Sequence, residues 1–149
     1  MLENFVTPSI FYSSVSKYLK KFEYRNAETK DLLKTLQTAV GDRFNIIDIM
    51  DTWTRQMGFP VVNVTKHKFT YTLTQKRFLE NSAASFDPSE SEFSYKWTIP
   101  ITYITSKNSS PSLVWFDKDA EKCKISFLKH YFRIKQEFKF FFNMHFSGY

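Results

Sequence analysis

The sequence predicts an α+β protein in which helices come first and a small antiparallel β unit follows. Up to Pro60, apolar residues recur every three or four positions, which is the helical period. Beyond Pro60, β-branched and aromatic residues alternate with polar ones, which is the strand period. At 42% apolar residues, the 149-residue chain can build a core and is not compositionally disordered. Runs segregated in this way divide the chain into residues 1–60, residues 61–122 and a tail, residues 123–149.

The first helix starts at Thr7-Pro8, an N-cap followed by proline at the first helical position. Phe11, Val15, Tyr18, Leu19 and Phe22 form its apolar stripe, with Lys17, Lys20 and Lys21 mostly off it. Thr29 is the expected cap of a second helix that buries Leu32, Leu33, Leu36 and Val40 and ends at Gly41. Asn45 is the expected cap of a third, with Asp48 at the positive end of its dipole. Ile46, Ile49, Met50, Trp53 and Met57 are its expected buried face, and Gly58 and Pro60 stop it.

Strands are expected at Val61–Thr65, Phe69–Leu73 and Leu113–Phe116. Phe93, Tyr95, Trp97, Ile99, Ile101 and Tyr103 occupy every second position and predict a long one, with Pro100 marking an edge or a bulge. The connectors 81–92 and 106–112 read as loops. After Lys122 neither period persists. The tail holds seven of the 17 phenylalanines, and five basic residues against Glu137 alone, so it carries most of the net charge of +6.

Several chemistries are missing from the residue pattern. The three glycines, Gly41, Gly58 and Gly148, are too scattered for a phosphate-cradling loop. One cysteine, Cys123, excludes a disulfide framework within the chain. His67, His130 and His145 have no partner at the spacing of His-Glu-x-x-His, and no Gly-x-Ser-x-Gly occurs. Cys123 with His130, or Asp48 with Asp51, would be a catalytic pair only if the fold joined them. Asp87, Glu90 and Glu92 read as a solvated loop. No apolar run reaches the roughly 20 residues of a membrane span, and no basic-then-apolar signal opens the chain. Two triplets, Asn63-Val64-Thr65 and Asn108-Ser109-Ser110, fit N-glycosylation. The basic aromatic tail has the composition of a nucleic-acid or membrane-surface binder. A segment never selected for folding explains it as well, and nucleic acid is not an expected partner.

The stretch Ile49-Met50-Asp51-Thr52-Trp53-Thr54-Arg55-Gln56-Met57-Gly58-Phe59-Pro60-Val61 resembles the end of the catalytic domain of the gluzincin zinc aminopeptidases, the family of aminopeptidase N and glutamyl aminopeptidase. Tyr18–Ala27 resembles the helix and loop before it. Thr74-Gln75-Lys76-Arg77-Phe78-Leu79 and Ser91–Ile101 resemble the start of the following β-sandwich, in the family's order. The resemblance therefore implies a three-helix remnant of a thermolysin-like catalytic domain, a small antiparallel β-sandwich and an atypical aromatic-basic tail. It also implies a parent enzyme that removes N-terminal residues from peptides with one zinc ion, on the extracellular side of the plasma membrane.

The family's zinc ligands, glutamate base, oxyanion tyrosine and Gly-x-Met-Glu-Asn segment match no position here. Met1 would align with an interior position of such an enzyme. No catalytic, metal or substrate-binding residue is assigned, no zinc is expected on this chain, and it is expected to be inactive alone. The departure after Lys122 suggests an intron read in frame, an alternative exon or a gene-model error. The other reading is a non-catalytic module that self-associates, or pairs with the full-length enzyme, through an exposed helix face of Phe11, Val15, Tyr18, Leu19 and Phe22, or interacts through its tail.

Overall fold

The computed structural model describes residues 1–81, 83–105, 110–126, 132–134 and 146–147. It is mixed α+β and forms two compact units, Met1–Asp51 and Thr52–Tyr149. Each is taken by itself.

The first unit holds α1 (Leu2–Val6), α2 (Pro8–Lys21), α3 (Thr29–Val40), a 3-10 turn at Gly41–Arg43 and the start of α4 (Ile46–Thr54). Alpha-helical α1 has no counterpart among the expected elements. Thr7 separates α1 from α2 with φ 80°, which is strained for a β-branched residue, and its side chain makes no capping hydrogen bond. Proline at the first position of α2 supplies the stop and restart. The cap of α3 is Glu28 rather than Thr29: the Glu28 side chain and the Asp31 side chain cap each other's backbone in a capping box. Gly41, at φ 62°, ends the helix as expected.

Asn45 caps α4 as its position suggests. Its Oδ1 accepts from Ile47 N at 3.1 Å and Asp48 N at 3.2 Å, and its Nδ2 donates to Asp48 at 2.6 Å. Gln37 staples the turn between α3 and α4. It donates to Gly41 O (2.7 Å) and Phe44 O (3.1 Å), and accepts from Ile46 N (2.7 Å). Phe5, Val6, Leu33, Leu36, Val40, Ile46 and Ile49 are buried. Ser14, on α2, is fully buried and its hydroxyl has no partner.

The second unit is strand-rich. β1 (Pro60–His67) and β2 (Thr70–Arg77) form an antiparallel hairpin in which Pro60 faces Arg77 and Val64 faces Leu73. Lys68, at φ 53°, makes the turn. β3 (Ile99–Thr105) pairs antiparallel with β4 (Ser112–Phe116). β5 (Cys123–Ser126) lies antiparallel along β2, so the chain enters the first sheet where the sequence marked no element. β6 (Phe132–Ile134) lies antiparallel along β3, and β7 (Phe146–Ser147) runs parallel to β1. The sheets run β5-β2-β1-β7 and β4-β3-β6. Val62, Val64, Leu73, Ile125, Ile99, Ile101, Phe116 and Trp97 share one buried cluster drawn from both sheets.

The expected long strand begins only at Ile99. Residues upstream form turns instead, with a 3-10 turn at Pro88–Glu90 and with Ser94 and Tyr95 both left-handed at φ 52° and 54°. Turn bonds occupy their backbone: Ser94 N donates to Ser91 O (2.9 Å) and Lys96 N to Phe93 O (2.9 Å). Side chains hold this segment where a strand would use ladder bonds. Gln75 Oε1 accepts from Trp97 N and Gln75 Nε2 donates to Trp97 O, both at 2.9 Å. Gln56 donates to Lys96 O (2.8 Å) and accepts from Ser91 Oγ (2.7 Å). The alternation thus reports burial of Tyr95 and Trp97, not a ladder.

Pro100 lies within β3, opposite Trp115. β6 meets β3 only at Tyr103–Thr105, so at Pro100 the strand has one described neighbour and behaves locally as an edge.

Candidate functional site

Two expectations about exposed faces change. Phe11, Val15, Tyr18 and Phe22 are half-buried, and of the five-residue face only Leu19 is exposed, at 61%. At roughly 100° per residue, Leu19 sits about 70° from the centre of the other four. Tyr12, outside that stripe, is equally exposed. Met57 follows the end of α4 at Thr54 and is 74% exposed, so it is not part of a buried helix face.

Among the described residues, the titratable groups singled out from sequence do not converge. Asp48 is used by the Asn45 cap. His67 is exposed at the end of β1, whereas Cys123 is buried, which pushes its thiol up from its ordinary value. His130 and His145 fall outside the described residues. The acidic loop is more organised than solubility requires. Asp87 accepts from Ser89 N at 2.8 Å, which holds its carboxyl below the usual range, Glu92 pairs with Arg55, and Glu90 accepts from Tyr95 Oη at 3.4 Å. Among the described residues no three His, Cys, Asp or Glu side chains approach as a metal requires. Asn63 is half-buried on β1 opposite Thr74, and Asn108 falls outside the described residues.

One constellation was not marked from sequence. Tyr71 and Leu73 point from β2 into the core, and the strand's period of two puts Gln75 and Arg77 on that same face. Arg77, at the strand's end, meets the 86–95 segment. Its guanidinium lies 3.8 Å from the Tyr95 ring centroid and 5.2 Å from that of Phe86. The two rings meet edge-on at 5.2 Å. Gly58, at φ 90°, closes the other side: a Cβ there would stand 3.2 Å from Arg77 Nε. That Nε is buried and has no hydrogen-bond partner. Phe59 and Phe78, the next pair of the hairpin register after Pro60 and Arg77, stack at 4.7 Å, and the same period of two turns them to the other face. The hairpin register, once its turn is placed at Lys68, was the signal available for this grouping.

No helix among the described residues is long and apolar enough to cross a membrane. Residues 1–53 match the peptidase family M1 domain. The chain is 39% identical over 110 residues to glutamyl aminopeptidase of Sus scrofa, covering 74% of this chain and 11% of that protein. It is 43% identical over 111 residues to glutamyl aminopeptidase of Mus musculus, covering 73% of this chain and 11% of that protein. Identity is 33% over 138 residues to the thyrotropin-releasing hormone-degrading ectoenzyme of Mus musculus, covering 86% of this chain and 13% of that protein. The chain thus spans about a tenth of the length of these curated relatives. A likeness of 110 residues exceeds either compact unit, so it runs through both, and by that shared sequence the chain belongs to the M1 aminopeptidase family.

Proposed function

We propose that this chain is a portion or truncated form of a zinc metallo-aminopeptidase that removes N-terminal residues from peptides, and that it does not hydrolyse peptides by itself. The observation that carries the reading is the relatedness through both units, joined to a sequence without His-Glu-x-x-His. The boundaries at residues 60 and 122 follow from the same reading: the end of a catalytic domain, the start of a β-sandwich, then divergent sequence. The parent enzyme would act at the extracellular side of the plasma membrane, and there Asn63 would be available for N-glycosylation before β1 folds.

The test is turnover of aminoacyl-anilides by the purified chain, with its metal content measured alongside. No turnover and no stoichiometric zinc are expected. Bound zinc with chelator-sensitive turnover overturns the reading. The exposure of Tyr12 and Leu19 on α2 favours a second reading, self-association or pairing with the full-length enzyme through that helix. A monodisperse monomer that does not shift in light scattering on adding the enzyme removes it.

A further inference from the structure

We propose that Arg77 anchors a docking site for a peptide segment that carries a glutamate or aspartate side chain beside an apolar one. A guanidinium offers five N–H donors, and leaving them unmet in a partly buried setting is unfavourable. Here the group is fixed against Tyr95 at 3.8 Å and beside Phe86 at 5.2 Å, so its orientation is set before any ligand arrives. Its Nε edge is closed by Gly58. Glu90, which bonds Tyr95 Oη, makes no ion pair with it. Among the described residues the guanidinium has ring contacts and no acceptor, which leaves its two terminal nitrogens to be met from outside. A carboxylate matches them with two parallel charge-assisted hydrogen bonds.

The surroundings specify the rest of the ligand. The Phe86 ring, 5.2 Å from the guanidinium and edge-on to Tyr95, is partly exposed at 36%. Two aromatic rings and one arginine together have the composition of a binding hot spot rather than of ordinary surface. A carboxylate flanked by apolar side chains meets both the charge and the rings. The neutralising partner for the cation and the cover for the rings are then one segment.

The test uses the 149-residue chain labelled with nitrogen-15 and a peptide pair, N-acetyl-Leu-Glu-Phe-Leu-amide and its Glu→Gln counterpart. The expected result is saturable shifts of the Arg77 Nε–H resonance and the Phe78 and Tyr95 amides with the glutamate peptide. Binding of the glutamine peptide should be about tenfold weaker or more, as for a lost charge-assisted pair. Arg77→Gln should abolish the difference between the peptides, and Arg77→Lys, which keeps the charge without the planar fork, should restore it only in part. Equal binding of the two peptides overturns the proposal. So does binding that leaves the Arg77 resonance unmoved, or no binding at millimolar peptide. The unsubstituted chain decides these outcomes even where Arg77→Gln fails to fold.

Discussion

Removing the Gln75 side chain should weaken the second unit more than its half-exposed position suggests. The Gln75 carboxamide takes the place of a missing strand neighbour for Trp97, accepting from its N–H and donating to its C=O, each at 2.9 Å. Gln75→Ala strands both groups beside a tryptophan that is fully buried. An unsatisfied buried backbone group costs about 1–3 kcal/mol. Both bonds are only partly buried, so the low end applies, about 2 kcal/mol in total. In a domain that stands only about 5–15 kcal/mol above unfolding, that is a large fraction.

The assay is urea unfolding followed by tryptophan emission. Trp53, Trp97 and Trp115 all lie beyond Asp51, so emission reports the second unit alone. With a slope of about 1–3 kcal/mol/M, the midpoint should fall by roughly 1 M. Gln75→Glu sharpens the test. An ionised carboxylate still accepts from Trp97 N but faces Trp97 O with no proton to donate, whereas the protonated acid restores the donor. Its pKa should therefore be raised on folding. That contribution is present below the unfolded value of about 4.3 and is lost as pH rises through the folded value. The Glu variant should approach the unsubstituted chain near pH 4 and fall behind it near neutrality. A loss under about 0.5 kcal/mol for Gln75→Ala, within the range of ordinary surface changes, would refute the reasoning.

Other outcomes follow from single groups. Ser14→Ala removes a fully buried hydroxyl without a partner, so thermal unfolding of the helical signal should shift upward, by the equivalent of up to about 1 kcal/mol. Asn45→Ala strips the cap from α4 and should lower the same midpoint by about 1 kcal/mol. Asn45→Asp keeps the cap acceptor but sets a second carboxylate against Asp48, so it should also lower the midpoint near neutral pH and recover as the pair protonates in acid. Burial raises the Cys123 thiol above its ordinary 9.0, so the stabilisation it reflects is present below that pH and is lost as pH rises through the folded value. The urea midpoint should fall more steeply in alkaline solution for the native chain than for Cys123→Ala.

The helices were legible where the signals are local. Asn45, Gly41 and Pro8 act within one turn of their own positions, and each stands where the sequence put it. Thr29 was displaced by its neighbour because Glu28 and Asp31 together satisfy two backbone groups, where a lone threonine satisfies one. Alternation misled at Phe93–Trp97 because period two records which side chains are buried, not which backbone groups are paired. There, Gln75 and Gln56 reach in from elsewhere in the chain, and no local pattern announces them. β5 was invisible for the same reason: Cys-Lys-Ile-Ser is a strand only because β2 offers it an edge. The Arg77 grouping joins residues brought together by a hairpin register and a left-handed turn, and single-position reading saw only a strand-end arginine.

The proline within β3 bears on how this sheet meets other chains. Pairing residue 100 with Trp115 requires its nitrogen, which has no hydrogen, to face away from β4. The opposite flank at Ile99–Ile101 therefore lacks a donor where an incoming extended chain would expect one. β3 is otherwise an apolar, β-branched segment of the kind that recruits copies of itself during folding. Pro100 blunts that flank without disturbing the buried face, so replacing it with valine should leave the fold intact while raising the rate of fibrillar association.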